Sequence, residues 1–146
     1  VPIAGCTAGV FGAVGTKDMA DAALNECSFS YGLKSDVDDT GTLVVGIVWT
    51  SEAGADTTVA VWDVEYSCIA DNAQTDTAYT SIGAANDTLT LSDESERVEF
   101  TIPASAFASA DICHIDIQRQ GADANDTVGQ VVEITDVYVR YTSLTP

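Results

Sequence analysis

Basic side chains are scarce in this chain: five Lys and Arg stand against 23 Asp and Glu, giving a net charge of −18 over 146 residues. A surface this acidic repels phosphate and has few cations with which to displace counterions, which excludes nucleic acid as a partner. The same balance argues against an anionic membrane surface. No apolar run approaches the roughly 20 residues of a membrane-spanning helix. Histidine is nearly absent as well, so any Ser/His/Asp triad would have to use His114, which follows Cys113 in a strand-like segment. Neighbouring strand residues face opposite ways, so these two cannot form a catalytic dyad. There is no Cys-x-x-Cys, and only His114 could join the cysteines, so a zinc site has no support. No basic n-region precedes an apolar h-region, and the chain is expected to begin after any leader has been removed.

What is present is apolar enough to fold. The hydrophobic fraction is 46 %, unlike a disordered acidic tail, and the length suits one domain. Sixteen of the acids are Asp, and Lys17 and Lys34 are the only lysines. Short carboxylates with so little Lys suit salty water, where a Debye length of a few ångströms makes self-repulsion tolerable.

Two regions differ along the chain. Residues 1–27 are punctuated by Gly5, Gly9, Gly12 and Gly15 and hold no steady period. They read as an extended arm or linker, with a turn or two of helix over Asp18 to Leu24 at most. Residues 28–146 read as strands. Thr42 to Thr50 is apolar on both faces, as a covered central strand would be. Thr57 to Ile69 alternates, with Ala60, Trp62, Val64, Tyr66 and Cys68 on one side. Ala70 to Asp87 reads as a polar loop with short strand character near Tyr79. Thr88 to Ser92 and Arg97 to Ile102 form the next pair, with Leu89 and Leu91 facing in. Ile112 to Arg119 puts Cys113, Ile115 and Ile117 inward and His114, Asp116 and Gln118 outward, and Gln130 to Thr142 is a last long strand. Strands at this spacing, without a convincing helix, predict an all-β antiparallel β-sandwich or jelly roll with an N-terminal extended arm.

Few residues carry chemistry. Calcium is the one ligand the acidic turns suggest, through Asp36 and Asp38 before Gly41, and through Asp123 and Asp126. The first turn has Ile47 where an EF-hand carries its bidentate Glu, and Asx-rich turns also form for purely local reasons. No other cofactor is implied. Four cysteines allow three pairings. A Cys6–Cys27 bridge would close a loop and suit an oxidising setting, while Cys68 and Cys113 read equally as small buried hydrophobes. Asn86 and Asn125 each begin a sequon in a turn-like segment. Pairs of carboxylates at glycosidase spacing arise by accident among 23 acids, and carry no specificity. Among the aromatics, Trp49, Trp62 and Tyr66 read as core, whereas Tyr79 is the candidate for a surface contact such as a sugar ring.

Several segments together resemble virion proteins of tailed bacteriophages. They are Leu43-Val44-Val45-Gly46-Ile47-Val48-Trp49, then Val61-Trp62-Asp63-Val64-Glu65-Tyr66, then Ile115-Asp116-Ile117-Gln118-Arg119 with Asp123, Asp126-Thr127 and Val132 to Tyr141. The resemblance covers roughly residues 28–142. It implies a jelly-roll domain of the fibre, head-fibre or capsid-decoration type, without enzymatic activity and usually homotrimeric. It also implies an ion pair between Arg119 and Asp123 or Asp126. The expected function is therefore a non-enzymatic virion surface protein that self-associates, contacts other virion proteins and attaches through its arm. Two alternatives are a subunit of an extracellular microbial filament built by strand addition, and a carbohydrate-binding module with a glycan partner. All three place the chain on a virion surface or outside the cell.

Overall fold

A computed structural model of the chain describes residues 7–11, 14–19, 24–51, 57–70, 73, 78–91 and 94–144. Among the described residues ten strands follow one another: β1 (Thr7–Phe11), β2 (Val14–Met19), β3 (Leu24–Gly32), β4 (Leu43–Thr50), β5 (Val59–Ile69), β6 (Thr80–Ser81), β7 (Ala85–Thr88), β8 (Glu96–Ile102), β9 (Ile112–Gln120) and β10 (Val132–Tyr141). A 3-10 turn, Ala104–Ala106, lies between β8 and β9. All pairings between strands are antiparallel. One sheet has the order β1-β2-β10-β4-β8, the other β3-β9-β5-β6, with β7 also on β5. The chain is a jelly-roll β-sandwich, as its strand spacing predicts.

Alternation builds the core. Leu43, Val45, Ile47 and Trp49 of β4 are fully buried, as are Ala60, Trp62 and Val64 of β5 and Cys113, Ile115 and Ile117 of β9. Each large aliphatic chain removed from water in this way contributes about 1.5–3 kcal/mol. Trp49 and Trp62 meet across the sandwich, their ring centroids 5.8 Å apart and tilted by 55°, which gives the two sheets an edge-to-face contact. In β10 a bulge between Ile134 and Asp136 inserts one residue. It resets the alternation, so that Val137, Val139 and Tyr141 pack on the core while Tyr138 and Arg140 face out.

Some expectations are revised. The stretch read as an arm supplies β1 and β2, and β2 joins β10 through Met19↔Val132, Asp18↔Glu133 and Lys17↔Ile134. Met19 is fully buried there. Asp18, Met19 and Leu24 are extended rather than helical, because pairing with β10 and β9 satisfies their backbone better than one isolated turn would. The strand expected from Ser28 begins at Leu24, where it continues the ladder with Gln120 of β9. The runs 88–92 and 97–102 are not a strand pair: of the first, only Thr88 lies in a strand, β7, which pairs β5, whereas β8 pairs β4 in the other sheet. Leu89 is buried, but Leu91 lies beyond β7 and is 46 % exposed.

Cys68 and Cys113 stand directly opposite one another on β5 and β9 and form a disulfide. Cys27 is buried and also disulfide-bonded, while Cys6 lies outside the described residues.

Candidate functional site

The outward face of the β3-β9-β5-β6 sheet carries polar side chains in rows that cross the strands. In one row Glu26 of β3 stands opposite Gln118 of β9, and Gln118 opposite Asp63 of β5. The next row runs Ser28, Asp116, Glu65, Ser81. A third runs Ser30, His114, Ser67, and Gly32, Ile112 and Ile69 close that end with an apolar step. Strand alternation produces the array, since the intervening Cys27, Ile115, Ile117 and Val64 are drawn into the core.

The middle of this face is sheltered. Asp116, Gln118 and Ser67 are 8 %, 6 % and 7 % exposed, which corrects the expectation that the outward side of β9 is freely solvated. These positions lie on and beside the central strand, between the side chains of the flanking strands, and form the floor of what we term the trough. Burial there demands partners, and Asp116 and Gln118 have them. Asp116 accepts from Ser28 Oγ at 2.9 Å and from Gln118 Nε2 at 3.2 Å. Gln118 Oε1 accepts from Gln120 Nε2 at 3.1 Å, and Ser81 Oγ donates to Asp63 at 3.1 Å. Ser30 Oγ lies 2.8 Å from His114 Nδ1.

Burial pushes the Glu65 carboxyl above the usual carboxylate range, and the nearby Asp63, Asp116 and Glu26 push it the same way, partly offset by the Gln118 amide. Gln118 thus serves two carboxylates as donor while accepting from Gln120. The face holds fixed acceptors whose internal donors are already engaged. It can recognise groups that donate, such as hydroxyls, and it disfavours anions.

Beside the trough is a cavity of about 270 Å³. Tyr66, Ser67 and Cys68 form one wall, Thr80 of β6 and Ser105 of the 3-10 turn another. It lies where β6 stops pairing: the β5–β6 ladder covers only Glu65↔Ser81 and Tyr66↔Thr80.

The residues singled out from sequence are dispersed. Tyr79 is 46 % exposed immediately before β6, two residues from Ser81, and so stands at the rim of the trough. Asp36 accepts from Ser143 Oγ at 2.9 Å. Asp38 caps its own turn, accepting from the Thr40 amide and hydroxyl, which hold its carboxyl below the usual range. Asp123 accepts from the Asn125 backbone and side chain, and Asp126 pairs with Arg119. Asp126 is thus held by a guanidinium, and the other three acids bond within or beside their own turns. Among the described residues no three acids, histidines or cysteines converge as a metal site. Asn86 of β7 and Asn125 are both exposed. His114 lies within the trough, bonded to the Ser30 hydroxyl, with Cys113 held in its disulfide on the opposite face. Asp63, Glu65, Asp116 and Gln118 drew no attention individually. Their outward parity is legible on each strand, but their assembly into one face depends on register between residues up to 88 positions apart.

No protein-family model matches the chain, and no curated protein is significantly similar to it in sequence. Solved structures share its fold. The CBM22-1 xylan-binding domain of Paenibacillus barcinonensis Xyn10C superposes with a TM-score of 0.52 at 11 % identity, over 96 % of this chain and 83 % of that one. The non-crystalline-cellulose-specific carbohydrate-binding module CBM28 gives 0.51 at 8 % identity, over 94 % and 82 %. The insecticidal delta-endotoxin Cry8Ea1 of Bacillus thuringiensis gives 0.50 at 10 % identity, with 87 % of this chain covering 20 % of that one. None of these three is a virion protein.

Proposed function

We propose that this chain is a non-catalytic carbohydrate-binding domain whose ligand lies across the outward face of β3, β9, β5 and β6. The observation that carries this reading is the sheltered acceptor row, in which the buried Gln118 amide aligns Asp116 and Glu65. Acceptors fixed in this way match the hydroxyls of a sugar without reorganising on binding. Shared fold alone does not transfer a function, but xylan- and cellulose-binding domains built on the same sandwich support the reading. The ligand is a neutral glycan, because a uronate or sulfate would meet like charge in the trough. Both oxygens of Asp116 accept bonds from the protein, which makes it a fixed acceptor rather than a nucleophile. The solved structures that share the fold favour this reading over the virion-protein expectation.

The test is isothermal calorimetry with xylohexaose and cellohexaose, with an alginate hexamer as the anionic control. Binding to a neutral hexasaccharide should weaken about tenfold or more in Asp63→Ala/Glu65→Ala. Silence across both neutral oligosaccharides and a broad glycan array would overturn the reading, as would affinity indifferent to the double substitution.

A further inference from the structure

We propose that the 270 Å³ cavity at the open edge of β5 is a subsite for a single neutral sugar ring, the terminal residue of the glycan lying in the trough. This rests on the proposed carbohydrate-binding function and specifies which part of the ligand the edge takes.

Four observations lead there. The volume falls just below the roughly 300–1,000 Å³ of sites that enclose a drug-sized molecule, so one ring fits and an oligosaccharide does not. The lining has no charged side chain, but it contains the hydroxyls of Ser67, Thr80 and Ser105. Ser67, 93 % buried as a residue, lines the cavity beside Thr80 and Ser105.

The backbone adds a matched donor and acceptor. In an antiparallel strand, successive residues direct their N–H and C=O groups to opposite edges. The Ile82 amide donates to Val64 O at 2.9 Å on the β6 side, so the even-numbered residues of β5, including Cys68, present N–H and C=O to that edge. The ladder with β6 ends at Tyr66, which leaves the Cys68 groups directed at the cavity with no strand beside them among the described residues. On its other edge Cys68 is anchored to Cys113 by the disulfide, so these groups are held in place.

Finally, the cavity and the trough share a residue. Ser67 lines the one and stands in the Ser30, His114, Ser67 row of the other. Ala78 and the 3-10 turn also line the cavity.

The experiment is a backbone-amide NMR titration of the full chain with xylose, glucose, galactose and N-acetylglucosamine, repeated with xylohexaose and cellohexaose. At least one monosaccharide should move the amides of Ser67, Cys68 and Ser105 in a saturable way. Ser105→Trp, an exposed position whose new side chain fills the cavity, should weaken that monosaccharide about tenfold or more. The hexasaccharide should still move Asp116 and Gln118 in this variant. Monosaccharide shifts absent from Ser67 and Cys68, or unchanged in Ser105→Trp, overturn the subsite while leaving the trough reading intact. Loss of the hexasaccharide shifts at Asp116 and Gln118 in the unmodified chain overturns the trough reading instead.

Discussion

Arg119 grips Asp126 through two parallel hydrogen bonds, Nε to Oδ2 at 3.0 Å and Nη2 to Oδ1 at 2.8 Å, with both side chains fully buried. Nη1 of the same guanidinium donates to the carbonyls of Met19 at 3.1 Å and Gln130 at 2.6 Å. Asp126 Oδ2 in turn accepts the Val61 amide at 3.1 Å. One ion pair thus joins β9 and β5 of one sheet to the end of β2 and the approach to β10 in the other. The resemblance left Arg119 with Asp123 or Asp126 as partner. Asp126 is the partner, and Asp123 shapes the turn that delivers it.

Removing one member of this pair strands a buried charge. Arg119→Met should cost about 3–5 kcal/mol, read as a lower urea midpoint. The double variant Arg119→Met/Asp126→Asn should lose less than the sum of the single changes, with a coupling of about 1–3 kcal/mol. Additive losses would show that the pair is not the unit that holds the sheets.

Gly46 is needed because of Tyr138. A Cβ at Gly46 would lie 2.1 Å from the Tyr138 ring, which rests flat across β4 with its hydroxyl on Glu99 and the Arg97 guanidinium 5.5 Å from its centroid. Gly46→Ala should destabilise by about 1–3 kcal/mol by displacing the ring. In a Tyr138→Ala background the same change should be neutral or stabilising by about 0.5–1 kcal/mol, since alanine costs a strand less entropy than glycine. Thermal unfolding of the four combinations checks the change of sign.

The Cys68–Cys113 disulfide joins residues 45 positions apart. Its removal in Cys68→Ala/Cys113→Ala should lower stability by about 2–4 kcal/mol, measured by denaturant titration under non-reducing conditions. The far-ultraviolet dichroism should keep its β signature, because β5 and β9 remain paired along their length.

Asp87 sets a pH dependence. It accepts from Trp49 Nε1 at 2.7 Å, and burial, its largest influence, pushes its carboxyl above the usual range. A carboxyl raised in the folded state favours folding when protonated. Its contribution is therefore full below the ordinary carboxylate value and lost as pH rises through the folded-state value. Glu65 acts with the same sign. Asp87→Asn, which keeps an acceptor for Trp49, should flatten the stability profile between neutral pH and the ordinary carboxylate range. An unchanged profile would show that Asp87 does not report this burial.

Much of this protein is written locally. Period-two patterning marked β5 and β9 and identified their inward residues, and β-rich runs marked β4, β8 and β10, because each strand face is decided by its own neighbours and by the core it must cover. Only tertiary structure decided the rest. The sheet to which β7 and β8 belong, the bridge between Cys68 and Cys113, and the burial of Asp116 and Gln118 all depend on partners many residues away. The small residues before residue 20 form strands because β10 offers an edge to pair with, not because of any period of their own. The trough and its cavity arise from register and from the early end of β6, and no single strand contains the information for either.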